Sequence, residues 1–462
     1  MAGRLIVISN RIPTGDPSGG LVVALHDALL ARGGVWVGAD PDPSEEGREC
    51  LHELGDIPYR KRAFRLSKTE RQNYYSGFAN SVLWPICHRR TDLIEIKSEY
   101  RADYLAVNLR LARLIAQDLA PQDVVWVHDY HFLPLAMMLR SLGVTNRIGF
   151  FLHIPFPNIT DLAILPRPED FARWLASYNL LGLQTRGDVA RALEMFRADP
   201  RAEFLRDGTV KFDEHIVTVA SFPIGIDCDQ IEATARRADP GPFGAANPRE
   251  LIIGADRLDY TKGLPHKFEA FGRLLQGRVD RDARPTLLQI ASPSRADVAA
   301  YRQITNDLQA ISGRINGQYS ELDWQPLRFV HRSVARDRLI GLMRRAEVGL
   351  VTPLADGMNL VAKEFVAAQA PDNPGVLVLS RFAGAAEDMK GALLINPHDL
   401  DETAGAIDYA LAMPLDERRK RHADCLAVVR DSRISVWTDR YLARLASCVP
   451  TLALSRHQAA SA

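Results

Sequence analysis

The feature that most constrains this chain is a repeated order of apolar strand, polar turn and helix, which is clearest in residues 350–369, LVTPLADGMNLVAKEFVAAQ. An apolar run there leads into a turn of small and polar residues, and a helical pattern begins at about Leu360. If Asn359 caps this helix, its first amides lack intrahelical acceptors and the helix dipole adds positive potential. The turn is therefore a candidate anion site, with Glu364 placed to accept from a ribose hydroxyl. An ordinary βα unit with a solvated Glu364 is the alternative.

The same order recurs along the chain and places cationic side chains after strands. Arg11 follows the strand RLIVIS, and a Ser-Gly-Gly turn ending at Gly20 opens the next helix. Arg257 and Lys262 lie in the turn after LIIGA, and Arg295 follows TLLQIA. Open α/β sheets bind ligands at the carboxyl ends of their strands, so these residues are candidates for holding phosphate groups. A helix start after a mobile loop, and surface salt bridges to Asp256 or Asp259, are the alternatives.

Aromatic residues form a second group of candidates. Residues 74–85, YYSGFANSVLWP, look too irregular for a clean strand or helix. Tyr75 and Trp84 are predicted to form a wall against the apolar face of a sugar, and Trp36 lies near the same sheet edge. Core packing is the alternative for each of these side chains.

Histidine and aspartate residues end two further strands. The strand VVWV precedes His128, Asp129 and His131, and the strand IGFFL precedes His153. A metal site is disfavoured because His128 and His131 flank a strand end and no third ligand cluster is evident. Asp129 is interpreted as an acceptor for a sugar hydroxyl. His153 is either a site residue at the strand edge or a core histidine.

Length and composition limit the class of protein. A chain of 462 residues predicts two domains. Lys and Arg (57) balance Asp and Glu (57), and no apolar run approaches the length of a membrane span, so nucleic acid and membranes are excluded as predicted partners. The five cysteines are scattered without metal spacing, which favours the cytoplasm.

The predicted fold is α/β, with two doubly wound Rossmann-like domains facing across a cleft. The N-terminal domain is expected over residues 1–230 and the second over residues 231–437, with a C-terminal helix at about 438–455 packing back onto the first. Residues 227–248, rich in Pro, Gly and polar side chains, are the predicted linker. Closing helices are expected over residues 400–413 and from about 416 to 446.

Ten motifs, in order over nearly the whole chain, carry a resemblance to a known family. They are SNR at 9–11, SGGL at 18–21, NSVLWP at 80–85, VHDYHFLP at 127–134, IGFFLHIPFP at 148–157, FPIGID at 222–227, RLDYTKGLP at 257–265, SPSRADVAAY at 292–301, GRINGQYS at 313–320 and DGMNLVAKEF at 356–365. The chain resembles the trehalose-6-phosphate synthases, retaining glycosyltransferases of the twin-Rossmann (GT-B) type.

The resemblance implies transfer of glucose from a nucleotide diphosphate glucose, usually UDP-glucose, to glucose 6-phosphate with retention. It implies two small-molecule substrates, no cofactor and no metal, and it leaves a homo-oligomer open. The implied catalytic residues are Arg257, Lys262, Asp356 and His153. The implied donor-binding residues are these four with Gly20, Gly357, Met358, Asn359, Leu360, Val361 and Glu364. The implied acceptor-binding residues are Arg11, Trp36, Tyr75, Trp84, Asp129 and Arg295.

Mechanism and acceptor are the least constrained by the sequence. Two-step retention requires a carboxylate nucleophile, and none can be placed. The hypothesis is therefore same-face attack, in which the leaving phosphate oxygen takes the acceptor proton. The stretch after Pro157 departs from the common form of the family, so glucosylglycerol-phosphate synthase, with glycerol 3-phosphate as acceptor, is the alternative. A catalytically silent sugar-phosphate sensor would show broken charges, and the sequence has none.

Overall fold

The computed structural model describes residues 3–13, 20–55, 58–239, 250–278, 284–294 and 299–449. The chain divides into two compact units, each with its own sheet and core. Unit 1 contains residues 1–223 and 435–462, and unit 2 contains residues 224–434.

Within the described residues, the sheet of unit 1 has ten strands in the order β3-β4-β2-β1-β5-β6-β7-β10-β9-β8. The strands are β1 (Leu5–Arg11), β2 (Val35–Ala39), β3 (His52–Gly55), β4 (Arg60–Phe64), β5 (Val124–His128), β6 (Ile148–Phe151), β7 (Leu180–Leu183), β8 (Ala202–Phe204), β9 (Val210–Phe212) and β10 (His215–Ser221). The strands from β4 to β10 in this order pair in parallel, whereas β3, β9 and β8 pair antiparallel at the two edges. The order reverses between β1 and β5, which is where doubly wound sheets bind ligands.

The helices of unit 1 connect these strands. They are α1 (Gly20–Arg32), α2 (Lys68–Glu70), α3 (Trp84–Cys87), α4 (Ser98–Ala116), α5 (Leu135–Ser141), α6 (Ile159–Leu162), α7 (Glu169–Ala176) and α8 (Arg186–Arg197). The segment that looked irregular in the sequence is a π-helix over Arg71–Leu83 that runs directly into α3. Its wider turn is visible at its end, where the backbone amide of Trp84 donates to Ala79 O, five residues back. π-Helices are rare and concentrate at functional sites.

In the part of unit 2 that the structure describes, six strands form a parallel sheet in the order β13-β12-β11-β14-β15-β16. The strands are β11 (Leu251–Arg257), β12 (Thr286–Ser292), β13 (Leu327–Val330), β14 (Val348–Val351), β15 (Val376–Ser380) and β16 (Leu393–Ile395). The helices are α9 (Cys228–Arg237), α10 (Leu264–Gln276), α11 (Ala299–Tyr319), α12 (Arg336–Arg345), α13 (Leu360–Ala368), α14 (Leu400–Ala412) and α15 (Leu415–Asp431). The final helix, α16 (Ile434–Ser447), belongs to unit 1 from Ser435 onward. The strand order of unit 2 reverses between β11 and β14.

The apolar strands are buried as the sequence predicts, because helices cover both faces of a parallel sheet. Val125, Trp126 and Val127 of β5 are fully buried, as are Val348 and Leu350 of β14. The predicted α/β class with doubly wound parallel sheets is therefore confirmed.

Two sequence predictions, one of a linker and one of a long closing helix, are wrong in detail. The predicted linker begins with a regular helix, α9, whose N-terminus is capped by Asp227 through a 2.9 Å bond from Gln230 N; residues 240–249 lie outside the described residues. The predicted helix from about 416 to 446 is broken between α15 and α16. At this break Ser432 O approaches Gly225 so closely that a Cβ on Gly225 would lie 1.2 Å from it. This contact between distant segments cannot be read from helical periodicity.

Within the described residues, no helix is both long enough and apolar enough to cross a membrane.

Candidate active site

The candidate site of unit 2 is built around the turn between β14 and α13. Asn359 adopts a left-handed backbone conformation with φ 75°, and its Oδ1 accepts from Ala362 N at 3.1 Å. The predicted cap is therefore confirmed, and the amides of Leu360 and Val361 lie in the first turn, where no intrahelical acceptor exists. The turn before the cap is fixed because Asp356 N donates to Phe382 O at 3.1 Å. A helix N-terminus with a fixed approach is a favourable site for an anion.

The turn after β11 is held against the turn after β14. Asp259 is fully buried and accepts from both the amide and the hydroxyl of Thr261, at 3.0 and 2.9 Å. Leu354 N then donates to Thr261 O at 2.7 Å. Gly263 has φ 63°, and a Cβ there would lie 2.2 Å from Thr352 O, so only glycine fits. Main-chain contacts thus fix the relative position of the two turns.

This arrangement brings Lys262 to Asp356, which sequence separation did not suggest. Lys262 Nζ lies 2.5 Å from Asp356 Oδ2, and the two side chains are 12% and 14% exposed. Asn359 Nδ2 donates to the same oxygen at 3.0 Å. The ammonium group and the N-terminus of α13 therefore converge at one carboxylate, at the point where the strand order reverses. Both add positive potential at the place where doubly wound sheets bind phosphate.

Three other predicted donor residues lie at the end of β11 or in the turn after β14. Arg257 is exposed at the carboxyl end of β11, and Gly357 and Met358 are buried in the turn. The alternative in which Arg257 or Lys262 pairs with Asp256 is not observed: Asp256 Oδ2 accepts from the buried Lys267 Nζ at 2.8 Å.

Glu364 lies one turn into α13 and is partly exposed. Its Oε1 is 3.4 Å from Arg336 Nη2 of α12, a partner that sequence reasoning missed because the two residues lie on different helices. Burial raises the pKa of Glu364, and the charge of Arg336 opposes this shift. A carboxylate with one oxygen on an arginine keeps acceptor capacity for a hydroxyl pair such as that of a ribose.

In unit 1, predicted residues lie at the carboxyl ends of β1 and β5, where the strand order reverses. Arg11 is exposed at the end of β1. Trp36 is fully buried, and its Nε1 donates to Ser9 Oγ at 2.8 Å while Ser9 Oγ donates to Arg11 O at 2.6 Å. Trp36 therefore supports the backbone at Arg11 through Ser9. Gly20 is the first residue of α1.

Residues 14–19, which include most of the predicted glycine turn, and the predicted cation Arg295 lie outside the described residues.

The predicted aromatic wall lies on the π-helix and α3. Tyr75 is partly exposed, and its ring stacks on His131 with centroids 5.7 Å apart and planes 9° apart. Trp84 is only 4% exposed, and its ring lies 4.1 Å from His88 and 5.7 Å from Tyr130. Tyr75 is thus accessible to a ligand, whereas Trp84 is mainly packed against its neighbours.

Asp129 and His153 meet because β5 and β6 are parallel neighbours. Asp129 has φ 73°, and its Oδ1 accepts from His153 N at 3.2 Å. His153 Nε2 lies 3.0 Å from Nδ1 of His128. Burial lowers the pKa of His153 to about 3, so its ring is neutral at physiological pH. Across the described part of the chain, no group of three or more His, Cys, Asp or Glu side chains is arranged to hold a metal ion.

Comparison with known proteins gives a consistent result. The sequence profile of Glycosyltransferase family 20 matches residues 9–447. A trehalose-6-phosphate synthase of Klebsiella pneumoniae subsp. pneumoniae is 42% identical over 462 residues, which cover 98% of this chain and 97% of that protein.

Solved structures agree with the sequence comparison. The crystal structure of a UDP-forming α,α-trehalose-phosphate synthase from Burkholderia xenovorans, in complex with glucose-6-phosphate, is 42% identical with a TM-score of 0.92, covering 96% of this chain and 100% of that one. A structure from E. coli bound with UDP-2-fluoro glucose is 41% identical with a TM-score of 0.93, covering 97% of this chain and 100% of that one.

Proposed function

The chain belongs to glycosyltransferase family 20, and from this premise we propose that it transfers glucose from UDP-glucose to glucose 6-phosphate with retention, giving α,α-trehalose 6-phosphate and UDP. The predicted fold class, two doubly wound Rossmann-like units of the GT-B type, is confirmed by the similarity to solved structures. The predicted resemblance to trehalose-6-phosphate synthases is likewise confirmed.

One observation carries the proposal: Lys262, Asp356 and the N-terminus of α13 converge at the reversal point of the unit 2 sheet. The leaving diphosphate gains negative charge as the bond to the anomeric carbon breaks. A fixed cation and a helix N-terminus stabilise that charge more in the transition state than in the ground state. We assign Lys262 and Arg257 to the diphosphate, Asp356 and the amides of residues 357–361 to the glucose and phosphate, and Glu364 to the ribose.

The remaining assignments concern unit 1. Arg11, Tyr75, Trp84, Asp129 and the undescribed Arg295 are proposed to bind the acceptor, with Trp36 supporting Arg11 through Ser9. Gly20 and His153 are proposed as further donor contacts. In this proposal, unit 1 is the acceptor-binding domain that the sequence predicted over residues 1–230 with the C-terminal helix, and unit 2 is the nucleotide-sugar-binding domain that it predicted over residues 231–437.

The proposed reaction uses no protein nucleophile. The bond between the anomeric carbon and the UDP oxygen breaks, and the acceptor hydroxyl attacks from the same face to form the new C–O bond. The acceptor proton passes to the departing phosphate oxygen, so atoms and charge balance without an enzymatic base. Trapping of a glucosyl-enzyme on Asp129, Asp356 or any other carboxylate would contradict this step.

The test is an assay of nucleotide diphosphate release with UDP-, ADP- and GDP-glucose, each against glucose 6-phosphate and glycerol 3-phosphate. We expect release with UDP-glucose and glucose 6-phosphate, and an α,α-linked phosphorylated disaccharide by NMR. Release only with glycerol 3-phosphate would favour glucosylglycerol-phosphate synthase instead. The absence of release with every pair, in protein that binds UDP-glucose, would favour a sugar-phosphate sensor.

We also propose that the reaction takes place in the cytoplasm. All five cysteines, Cys50, Cys87, Cys228, Cys425 and Cys448, are free thiols, which supports a reducing compartment.

A further inference from the structure

Two histidines that end neighbouring strands form a direct pair. In the parallel register of β5 and β6, His128 lies opposite Phe151, two residues before His153. His128 Nδ1 lies 3.0 Å from His153 Nε2, a hydrogen-bonding distance that requires one proton between the two nitrogens. His128 is fully buried, whereas His153 is partly exposed.

Both rings are neutral, so each carries one proton. Burial lowers the pKa of His128 well below its usual value, and His153 lowers it further. Burial also lowers the pKa of His153 to about 3. Two arrangements are then possible. Either His128 Nδ1–H donates and His153 carries its proton on Nδ1, or His153 Nε2–H donates and His128 carries its proton on Nε2.

The surroundings of His128 Nε2 distinguish the two arrangements. This nitrogen is buried and has no hydrogen-bond partner among the described residues. In the first arrangement it is an unused lone pair, but in the second it is a buried N–H without an acceptor, which is the rarer case in proteins. Among the described residues, the neighbouring Trp437 already has a buried N–H without an acceptor. The second arrangement would add another such N–H in the same aromatic cluster.

The aromatic neighbours do not offer a substitute acceptor. An N–H directed at a ring face requires two planes that are close to perpendicular. The planes of Trp126, Phe151 and Trp437 make angles of 52°, 36° and 46° with that of His128. The first arrangement is therefore favoured.

We propose that His128 is a positioning residue that fixes His153 as the Nδ1–H tautomer and so makes it a hydrogen-bond donor to an oxygen of the donor substrate. His153 Nδ1 has no partner within the residues that the structure describes, and its main chain is fixed by the bond from its amide to Asp129. The inference rests on the proposed function only in naming the substrate. A neutral histidine without such a partner prefers the Nε2–H form, which would present a lone pair instead.

The decisive measurement is the protonation of His153 in the free protein. Histidine is labelled with ¹⁵N, the His153 signals are assigned by their loss in His153→Gln, and long-range ¹H–¹⁵N correlation shows which nitrogen carries the proton. We expect Nδ1 protonated in the wild type and in His128→Asn, whose side-chain amide donates from about the position of Nδ1. In His128→Phe, which keeps the ring volume, we expect the proton on Nε2.

Kinetics provide the second readout. His128→Phe is expected to lower kcat/KM for UDP-glucose roughly ten- to hundredfold through loss of one substrate hydrogen bond, with the KM for the acceptor unchanged. His128→Asn is expected to restore most of this loss, which a purely structural role would not. His422→Phe is the matched control: it removes another buried histidine, one bonded to Val366 O at 3.0 Å, and leaves the His153 signals unchanged.

A proton on His153 Nε2 in the wild type would overturn the proposed tautomer. An unchanged His153 tautomer in folded His128→Phe would overturn the positioning role. If that variant does not fold, His128→Leu, which also lacks a donor, is measured in its place, and an unchanged tautomer there would overturn the role equally. Because the spectra are recorded without substrate, a failure to release UDP would refute the proposed function and leave this result intact.

Discussion

Lys363 provides a quantitative test of how unit 2 is held together. It lies on α13 beside Glu364 and is 2% exposed. Its Nζ donates to Ile224 O at 2.7 Å and to Ser432 Oγ at 3.1 Å. These acceptors lie at the first and last segments of unit 2, so a single buried ammonium joins both ends of the unit to the helix that carries the proposed donor site.

The magnitude follows from the ionisation of Lys363. Burial lowers its pKa from 10.5 to about 8, and the charge of Asp388 opposes the shift. A shift of this size means that the charged form costs about 3 kcal/mol in the native state relative to the unfolded chain. Between these two pKa values the unfolded chain binds a proton that the native state lacks. Stability therefore increases with pH across this window.

The perturbation is Lys363→Met, which removes the titrating group and keeps the buried volume. The difference in free energy of unfolding, wild type minus variant, is expected to rise by about 2 kcal/mol between about pH 7.5 and about pH 9.5. Urea-dependent hydrogen exchange of unit 2 peptides measures this difference without assuming that both units unfold together.

The control is Lys420→Met, at an exposed lysine of α15 in the same unit. Other groups that titrate at alkaline pH affect all three proteins equally, so the difference between wild type and Lys420→Met should stay constant. A constant difference for Lys363→Met, or an equal rise for both variants, would refute the assignment of a buried, destabilising charge to Lys363.

Three further predictions concern the proposed donor site. Lys262→Met should lower kcat for UDP release about a hundredfold or more, because the charge of Lys262 acts on the leaving diphosphate. Lys262→Arg should recover part of this activity. Equal activity of Lys262→Met and the wild type would contradict this role. Glu364→Gln should raise the KM for UDP-glucose about tenfold with little change in kcat. This effect should disappear when the donor is UDP-glucose with a 2′-deoxyribose. An effect on kcat alone would argue against ribose binding by Glu364. Gly263→Ala should destabilise the protein by about 1–3 kcal/mol in thermal unfolding because its Cβ meets Thr352 O, whereas Gly277→Ala, with φ −75° and no contact closer than 3.7 Å, should not.

Features that depend on neighbours in the sequence could be predicted from the sequence. The strand–turn–helix order gave the α/β class, and the small polar turn before Leu360 gave the start of α13 and its cap by Asn359. Such features depend on side-chain periodicity and on orphan amides within a few residues, which a sequence displays directly. Because open α/β sheets bind ligands at the carboxyl ends of their strands, Lys262 and Asp356 could also be placed at the same edge of the sheet, although their contact could not be predicted.

Features that depend on distant segments could not be predicted. The π-helix over Arg71–Leu83 requires hydrogen bonds that span one residue more than those of an α-helix, and its glycine, Gly77, lies where a Cβ would meet the ring of Tyr100 at 2.6 Å. The partner of Glu364, Arg336, comes from another helix. Tertiary contacts decide which of several local conformations of similar free energy a segment adopts, and which of several possible partners a side chain binds. The periodicity of the sequence therefore does not indicate either outcome.

The contacts around Lys262 explain how the proposed reaction can proceed without a protein nucleophile. A long lysine side chain is normally a mobile charge, but here the turn that carries it is fixed by the bond from Leu354 N to Thr261 O and by the close approach of Gly263 to Thr352. The opposing turn, with Asp356, is fixed by its own main-chain bond to Phe382. A charge held in this way needs little reorganisation when negative charge develops on the leaving phosphate, which is where electrostatic catalysis gains most. Under the proposed function, the rigidity of these two turns therefore supplies transition-state stabilisation that a covalent intermediate would otherwise provide.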